Sequence, residues 1–147
     1  MNDVNLHPKA ALTLQRWHEM VEQHDMTGLP ELLHPDAVFR SPMAHTPYPG
    51  AVVVATILGT VIQVFENFTY HRQLGGSDGL NVMLEFSAQV RDRQLKGIDL
   101  IRFDEQGKIV DFEVMVRPMS GLQLLGEEMG RRLAPYLGKS KEKSEGK

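Results

Sequence analysis

The sequence predicts a single α+β domain in which helices near both ends of the chain pack against an antiparallel meander of strands. Apolar residues recur at helical spacing near the N-terminus and again after residue 120. Between these stretches lie apolar segments separated by turn-rich compositions, which are typical of strands joined by tight connections. A chain of 147 residues buries roughly 68–70% of the surface that its unfolded form exposes. One domain with room for a core and an internal cavity is therefore expected.

The first third of the chain predicts a helix, a short helical piece and a strand. An amphipathic helix is expected over residues 9–24, with Trp17 in its apolar stripe. A short helical piece follows at residues 29–33. We expect residues 34–36, His-Pro-Asp, to end this piece, because the residue before a proline is driven out of the helical region. Residues 37–41 then predict the first strand.

The most apolar run, residues 51–65, is predicted to form a largely buried helix. Its valines and isoleucines would also suit a strand, but a run of this length is long for a single strand. Val54, Leu58, Val61 and Phe65 share one helical face. The run is shorter than the roughly 18 residues of a spanning helix, so no membrane span is predicted.

Three or four strands are predicted after this helix, joined as an antiparallel meander. Segments of turn composition separate them at residues 75–79, 91–94 and 104–107. In the second strand, apolar side chains occupy every other position from Leu80 to Ala88. Because successive side chains of a strand point to opposite faces, one face of the meander is expected to be buried.

A last helix is predicted to begin at Ser120, where the pattern Ser-x-x-Gln forms a capping box. Its apolar stripe extends to Tyr136. The single domain is thus expected to cover residues 1–137. Residues 138–147 contain only Gly, Ser, Lys and Glu, a composition that cannot form a core and that predicts a disordered charged tail.

Charge and composition exclude several kinds of partner. The formal net charge of −3 provides no basic surface for nucleic acid or for an anionic membrane. The absence of cysteine removes disulfides and thiolate zinc sites, and the six histidines show no metal-binding spacing. Neither a metal nor another cofactor is predicted. The N-terminal residues lack the basic and apolar regions of a secretory signal, so a cytoplasmic location is expected.

Several stretches resemble SnoaL-like proteins of the nuclear transport factor two-like superfamily, over roughly residues 9–136. The stretches that carry the resemblance are residues 32–39, 97–104, 107–110 and 114–118. The resemblance implies a cone-shaped, curved antiparallel sheet packed with helices around an internal pocket, and a homodimer formed through the outer face of the sheet. The superfamily includes ketosteroid isomerases, polyketide cyclases, epoxide hydrolases and a dehydratase, together with members that only bind. The fold alone therefore does not determine the function.

Asp99 is the leading candidate for a catalytic group. The resemblance to ketosteroid isomerases places it where those enzymes keep a protonated carboxylic acid that donates to an oxyanion. In strand alternation Asp99 shares a face with Ile101 and Phe103, so burial among apolar neighbours is expected to raise its pKa. The alternative is that its carboxyl only bonds a backbone amide or a helix end.

The other catalytic groups of these relatives are replaced in this chain. Ser41 occupies the position of the isomerase base, and Trp17 occupies that of the catalytic tyrosine. A serine hydroxyl is no base near pH 7, and an indole donates but does not ionise. The polyketide cyclase aspartate corresponds to Arg117, which either binds a carboxylate or enolate or forms a surface ion pair. Ordinary ketosteroid isomerase or cyclase activity is therefore not predicted.

His45 is the candidate for a second catalytic group. It belongs to the proline-rich loop that borders the mouth of the cavity in the family, where a histidine can act as a base. The alternative is an exposed loop histidine. His18, beside Trp17, is expected at the edge of the first helix.

Strand alternation and the resemblance together predict the walls of the pocket, with plain core packing as the alternative for most residues. The predicted lining residues are Trp17, Phe39, Ser41, Tyr70, Leu84, Phe86, Ile101, Phe112, Val114 and Val116. Apolar walls with a few polar groups suit a small, flat, lipophilic ligand.

Three functions remain open from the sequence. The first is an isomerase, cyclase or hydratase that uses Asp99 as acid or oxyanion donor, with His45 or a water as its partner. The second is a non-catalytic pocket for a lipophilic metabolite. The third is an interaction module that uses the outer face of the sheet, with Met83, Ile98, Leu100 and Met115.

Overall fold

A computed structural model describes residues 4–138 of the chain. The helices are α1 (Pro8–Gln23), α2 (Ala51–Val64) and α3 (Met119–Leu133). The strands are β1 (Leu33–Arg40), β2 (Tyr48–Pro49), β3 (Glu66–Gly75), β4 (Asn81–Val90), β5 (Arg93–Phe103) and β6 (Ile109–Arg117). A 3₁₀ turn at Leu29–Leu32 precedes β1, and a π turn at Ala134–Gly138 follows α3.

The strands form one mixed sheet in the order β2-β1-β6-β5-β4-β3. Strands β3 to β6 make the predicted antiparallel meander, whereas β1 pairs with β6 in parallel. The sequence pattern does not predict this parallel pair, because its two strands lie far apart in the chain and no local turn joins them. Register irregularities in the pairs β1–β6, β3–β4 and β5–β6 bend the strands. The sheet is curved and does not close into a barrel.

The predicted helices α1 and α2 are confirmed, and the start of β1 is corrected. The short helical turn ends at Leu32, and β1 begins at Leu33, four residues earlier than predicted. Pro35 drives His34 out of the helical region, as expected, but the extended backbone that results continues the strand. In the described part of the chain, no helix is long and apolar enough to cross a membrane.

The start of the last helix also differs from the prediction. Helix α3 begins at Met119 after Pro118, and no side chain caps its first turn. The capping box at Ser120 is therefore wrong. Tyr136 is 66% exposed and lies outside the apolar stripe. The predicted tail, residues 138–147, lies outside the described residues apart from Gly138.

The main core lies on the concave face of the sheet, under the helices. Val82, Leu84, Phe86 and Ala88 of β4 are at most 3% exposed, which confirms the predicted buried face of the meander. Trp17 of α1 is buried in the same core, together with apolar residues of α2. Helix α3 packs on α2 and on strands β4 to β6.

The outer face of the sheet is more polar. Glu85 is 7% exposed there, and its carboxylate accepts from Arg72 at 2.8 Å and pairs with Lys96 at 3.1 Å. These hydrogen bonds, first from Arg72 and then from Lys96, lower the pKa of Glu85 to about 2. Leu100 and Met115 remain 37% and 44% exposed on this face. The homodimer expected through this face stays a prediction.

Candidate functional site

A cavity of about 360 Å³ lies between the concave face of the sheet and the helices. Its walls are mostly apolar. Residues of the predicted pocket that border it are Trp17, Phe39, Ser41, Tyr70, Phe112 and Val114. Asp99 of β5 borders the same cavity and is 5% exposed.

Four residues of the predicted lining do not border the cavity. Leu84, Phe86 and Ile101 are fully buried in the packed core. The ring of Phe86 lies 5.0 Å from that of Phe68, which covers it. Val116 is half-buried near the end of β6 and packs against the apolar cluster that contains Phe86. Strand alternation identifies the face of a residue, but it does not show whether another side chain covers it.

The helices contribute lining residues that the sequence analysis did not assign to the cavity. They come from the apolar stripes of α2 and α3. Helical spacing in the sequence identifies these stripes, but the local sequence pattern does not show which part of the sheet each stripe covers. The additional helical residues at the cavity are Ile57, Leu58, Val61, Ile62, Leu125, Gly126, Met129, Gly130 and Leu133.

A chain of hydrogen bonds ends at the carboxyl group of Asp99. The indole Nε1 of Trp17 donates to the hydroxyl of Tyr70 at 2.9 Å, and that hydroxyl donates to Asp99 Oδ2 at 2.7 Å. Tyr70 comes from β3, and Asp99 comes from β5, so the bond spans the intervening strand β4. The partner of Asp99 is thus a side chain, and among residues 4–138 no backbone amide donates to its carboxyl.

The chemistry of these donors determines the direction of the chain. An indole N–H only donates, so the oxygen of Tyr70 accepts from Trp17, and the single phenol proton is directed to Asp99 Oδ2. Within residues 4–138, no side chain donates to the other oxygen, Oδ1, and no buried side-chain oxygen lacks a partner. Oδ1 is therefore reached from the cavity that Asp99 lines, and a proton bound by Asp99 is placed there.

Burial changes the acidity of both hydrogen-bonded groups. It raises the pKa of Asp99 to about 7, while the hydrogen bond from Tyr70 acts in the opposite direction. Burial, followed by the charge of Asp99, raises the pKa of Tyr70, so the phenol keeps its proton at neutral pH. Asp99 can thus present either a lone pair or an acidic proton to the cavity near pH 7.

The described cavity lining carries no positive charge that could compensate a charged Asp99. Among the described residues that line the cavity, Asp99 is the sole carboxyl group and no arginine, lysine or histidine is present. The described residues also include no group of three or more His, Asp or Glu placed to hold a metal ion. The site therefore suits proton transfer to and from an uncharged ligand.

The predicted second catalytic group does not line the cavity that Asp99 borders. His45 is exposed in the loop between β1 and β2 and does not line the cavity. His18 packs beside Tyr70, with the two ring centroids 5.0 Å apart and the ring planes nearly perpendicular, and its Nε2 is hydrogen-bonded to Gln73 Oε1 at 3.1 Å. Arg117 is exposed and borders a groove on the outer face of the sheet.

Comparison with known proteins identifies the family. The model of the SnoaL-like domain family matches residues 14–112. A crystal structure of a steroid delta-isomerase from Pseudomonas aeruginosa is 67% identical to this chain, with a TM-score of 0.89, and the match covers 92% of this chain and 99% of that one. A comparison with curated proteins gave no match.

Two further solved structures extend the similarity. An uncharacterised protein with a cystatin-like fold from Silicibacter pomeroyi is 34% identical with a TM-score of 0.80, and the match covers 93% of each chain. An epoxide hydrolase/cyclase-like enzyme of pyran ring formation in the polyether salinomycin is 16% identical with a TM-score of 0.63. That match covers 77% of this chain and 93% of the enzyme, and it shows a shared fold alone. The predicted α+β architecture and resemblance are confirmed, and the chain belongs to the SnoaL-like domain family of the nuclear transport factor two-like fold.

Proposed function

We propose that this protein is an isomerase that moves a proton within a lipophilic carbonyl compound held in the cavity. In this proposal Asp99 takes the proton and returns it, and so fills the role of the base whose position Ser41 occupies. This role differs from the expectation from the sequence, in which Asp99 serves only as an acid or oxyanion donor. The observation that carries the proposal is the buried carboxyl whose free oxygen faces an apolar cavity and whose pKa is about 7. The similarity at 67% identity to a structure named as a steroid delta-isomerase supports the same class of reaction.

The proton balance needs no cofactor. The carboxylate Oδ1 removes a proton from the carbon between the carbonyl group and a C=C bond, and the electron pair of the C–H bond moves into a dienolate. The resulting carboxylic acid of Asp99 returns the same proton to the far carbon of the dienolate. The double bond is then conjugated with the restored carbonyl, and Asp99 is again a carboxylate. A carboxyl group with a pKa near the working pH serves well in both directions.

Tyr70 and Trp17 support this cycle by keeping Asp99 Oδ2 occupied. While the phenol donates to Oδ2, the exchange of the proton is confined to Oδ1. The bond also favours the charged form of the carboxylate, opposing the effect of burial. The tyrosine position of the isomerases on α1 is a tryptophan here, and the phenol comes from β3 instead.

The enolate oxygen needs a hydrogen-bond donor, and among the described lining residues two hydroxyl groups are present besides that of Tyr70. Ser41 Oγ accepts the backbone N–H of Met43 at 3.0 Å, which leaves its own proton available to donate. The second hydroxyl belongs to Tyr48 of β2. Preorganised donors in a water-poor site stabilise a developing oxyanion strongly.

The test is isomerisation of 5-androstene-3,17-dione, a β,γ-unsaturated ketosteroid, followed by the ultraviolet absorbance of the conjugated product. The wild type is expected to accelerate the reaction over buffer, and Asp99→Asn to lower kcat by roughly 10²–10⁴-fold, the usual contribution of a positioned acid or base. Asp36→Asn is the matched control, because Asp36 is exposed on β1 and does not line the cavity.

Two outcomes would contradict the proposal. Equal kcat values for the wild type and Asp99→Asn would remove Asp99 from the reaction. A wild type no faster than buffer would reject the isomerase for this substrate class. If that wild type is still stabilised by the conjugated steroid, by about 2.7 kcal/mol at a hundred times its dissociation constant, the alternative of a non-catalytic pocket for a lipophilic metabolite is favoured.

A further inference from the structure

The cavity has a buried end and an exposed end. Trp17 and Phe112 are each 1% exposed and, with Asp99 at 5%, form the buried end. Met43 is 53% exposed and Gly130 is exposed as well, and both border the same cavity. The mouth of the cavity therefore lies between the loop joining β1 to β2 and the second half of α3.

At this mouth, α3 presents two glycines beside larger side chains such as Met129 and Leu133. Gly126 and Gly130 lie one helical turn apart on the face of α3 that borders the cavity. A Cβ atom added at Gly126 would lie 2.5 Å from Cε of Met43, so the methionine packs directly on the helix there. A Cβ atom added at Gly130 would meet nothing within 4 Å. The space beside Gly130 is open.

A second observation indicates that a ligand uses this opening. Asp99 is 5% exposed, and its Oδ1 faces the cavity without a hydrogen-bond donor among the described residues. Since no fully buried side-chain oxygen of the described residues lacks a partner, Oδ1 is accessible from the cavity, and a ligand entering from the mouth can supply its hydrogen bond. The polar group of such a ligand lies at the buried end, and its apolar body extends towards the mouth.

We infer that Gly130 sets the width of ligand that the mouth of the cavity admits, so that a flat ring system whose carbonyl end enters first can pass beside it. The bare backbone at Gly130 leaves room for the face of a ring. One helical turn earlier, the flexible and exposed side chain of Met43 covers Gly126 and can adapt to the ligand. This inference rests on the proposed function for the nature of the polar group.

The experiment compares Gly130→Leu with Gly59→Leu. Both glycines lie in helices, and an added Cβ atom meets nothing within 4 Å at either one, but Gly59 does not line the cavity. Both variants are expected to fold, since leucine is a better helix former than glycine, and thermal melting verifies this. The two substrates are 5-androstene-3,17-dione and 3-cyclohexen-1-one, which share the β,γ-unsaturated ketone but differ in width and length.

Binding is measured separately from turnover. Trp17 is the sole tryptophan of the chain and borders the cavity, so quenching of its fluorescence by 4-androstene-3,17-dione reports occupancy directly. We expect Gly130→Leu to raise the dissociation constant and the KM for the steroids by about tenfold or more, as a side chain that crowds the mouth should. Turnover of 3-cyclohexen-1-one is expected to change by less than about twofold, and Gly59→Leu to match the wild type with every ligand.

The outcomes separate this inference from the proposed function. If Gly130→Leu and Gly59→Leu bind the steroid with equal dissociation constants, the inference is overturned, while the proposed isomerase function is unaffected. An equal loss for the steroid and for the single-ring ketone also overturns it, because the leucine would then disturb Asp99 instead of the mouth. If the wild type binds the steroid without isomerising it, the proposed function fails while the binding of the variants still decides the role of Gly130. A wild type that binds neither ligand contradicts both.

Discussion

Replacing Asp99 by asparagine is expected to stabilise the folded protein, and to do so increasingly as the pH rises. Asparagine has nearly the same shape and its oxygen still accepts the hydrogen bond from Tyr70, but it never ionises. Burial raises the pKa of Asp99 from 3.8 to about 7 in the folded state. The folded protein therefore resists the charged form, which the unfolded chain accepts freely.

The sign and size of this stability difference follow from proton linkage. Between about pH 4 and pH 7, the unfolded chain releases the proton of Asp99 while the folded chain keeps it, so the wild-type free energy of unfolding falls as the pH rises. A difference of one pKa unit corresponds to about 1.4 kcal/mol. The rise from 3.8 to about 7 thus costs the wild type roughly 4 kcal/mol above pH 7. Below about pH 4 the carboxyl is neutral in both states and the cost disappears.

Urea unfolding from about pH 4 to about pH 9 measures this cost, because the free energy of unfolding is obtained by linear extrapolation. The stability gap between Asp99→Asn and the wild type is expected to widen by roughly 4 kcal/mol up to pH 7 and then to level off. Asp36→Asn, at an exposed position, controls for the general effect of removing a carboxylate. A gap that stays constant with pH would refute the reasoning, since Asp99 would then titrate like an ordinary aspartate.

Two further substitutions test the hydrogen bond and the sheet packing. Tyr70→Phe removes the donor that favours the charged carboxylate, so the pKa of Asp99 should rise further. The pH–rate profile of isomerisation should then move to higher pH. An unchanged profile would show that the Tyr70 hydroxyl does not influence the titration of Asp99. Gly97→Ala should lower the free energy of unfolding in urea by about 1–3 kcal/mol, because its Cβ would lie 2.4 Å from the carbonyl oxygen of Met115. Gly59→Ala, at an open helix position, should instead raise the free energy of unfolding by up to about 1 kcal/mol. Similar effects at both glycines would contradict the close approach of Gly97 to the Met115 carbonyl oxygen.

The architecture could be predicted from the sequence largely because its elements carry strong periodic patterns. The alternation along β4 identifies the buried face, and the same period of two places Asp99 on the face of Ile101. The length of the run that forms α2 outweighs the strand propensity of its valines. The parallel pairing of β1 with β6 could not be predicted in this way, because it depends on contacts between distant segments.

The site was predictable only in part, for related physical reasons. The resemblance to ketosteroid isomerases indicates Asp99 as the candidate, and strand alternation gives the cause of its raised pKa, which is burial among apolar neighbours. The bond from Tyr70 does not follow from the sequence pattern, because it reaches across β4 and the β3–β4 register shifts between Tyr70 and Gln73. The exposure of His45 depends on the path of an irregular loop, for which no periodic pattern exists.

The carboxyl of Asp99, at the buried end of the cavity, is proposed to exchange its proton near neutral pH. The most direct measurement is a carbon-13 NMR titration of its side-chain carboxyl carbon, assigned by the loss of the signal in Asp99→Asn. We predict a titration midpoint of about 7. A midpoint near the usual aspartate value of about 4 would contradict the proposed role of this residue.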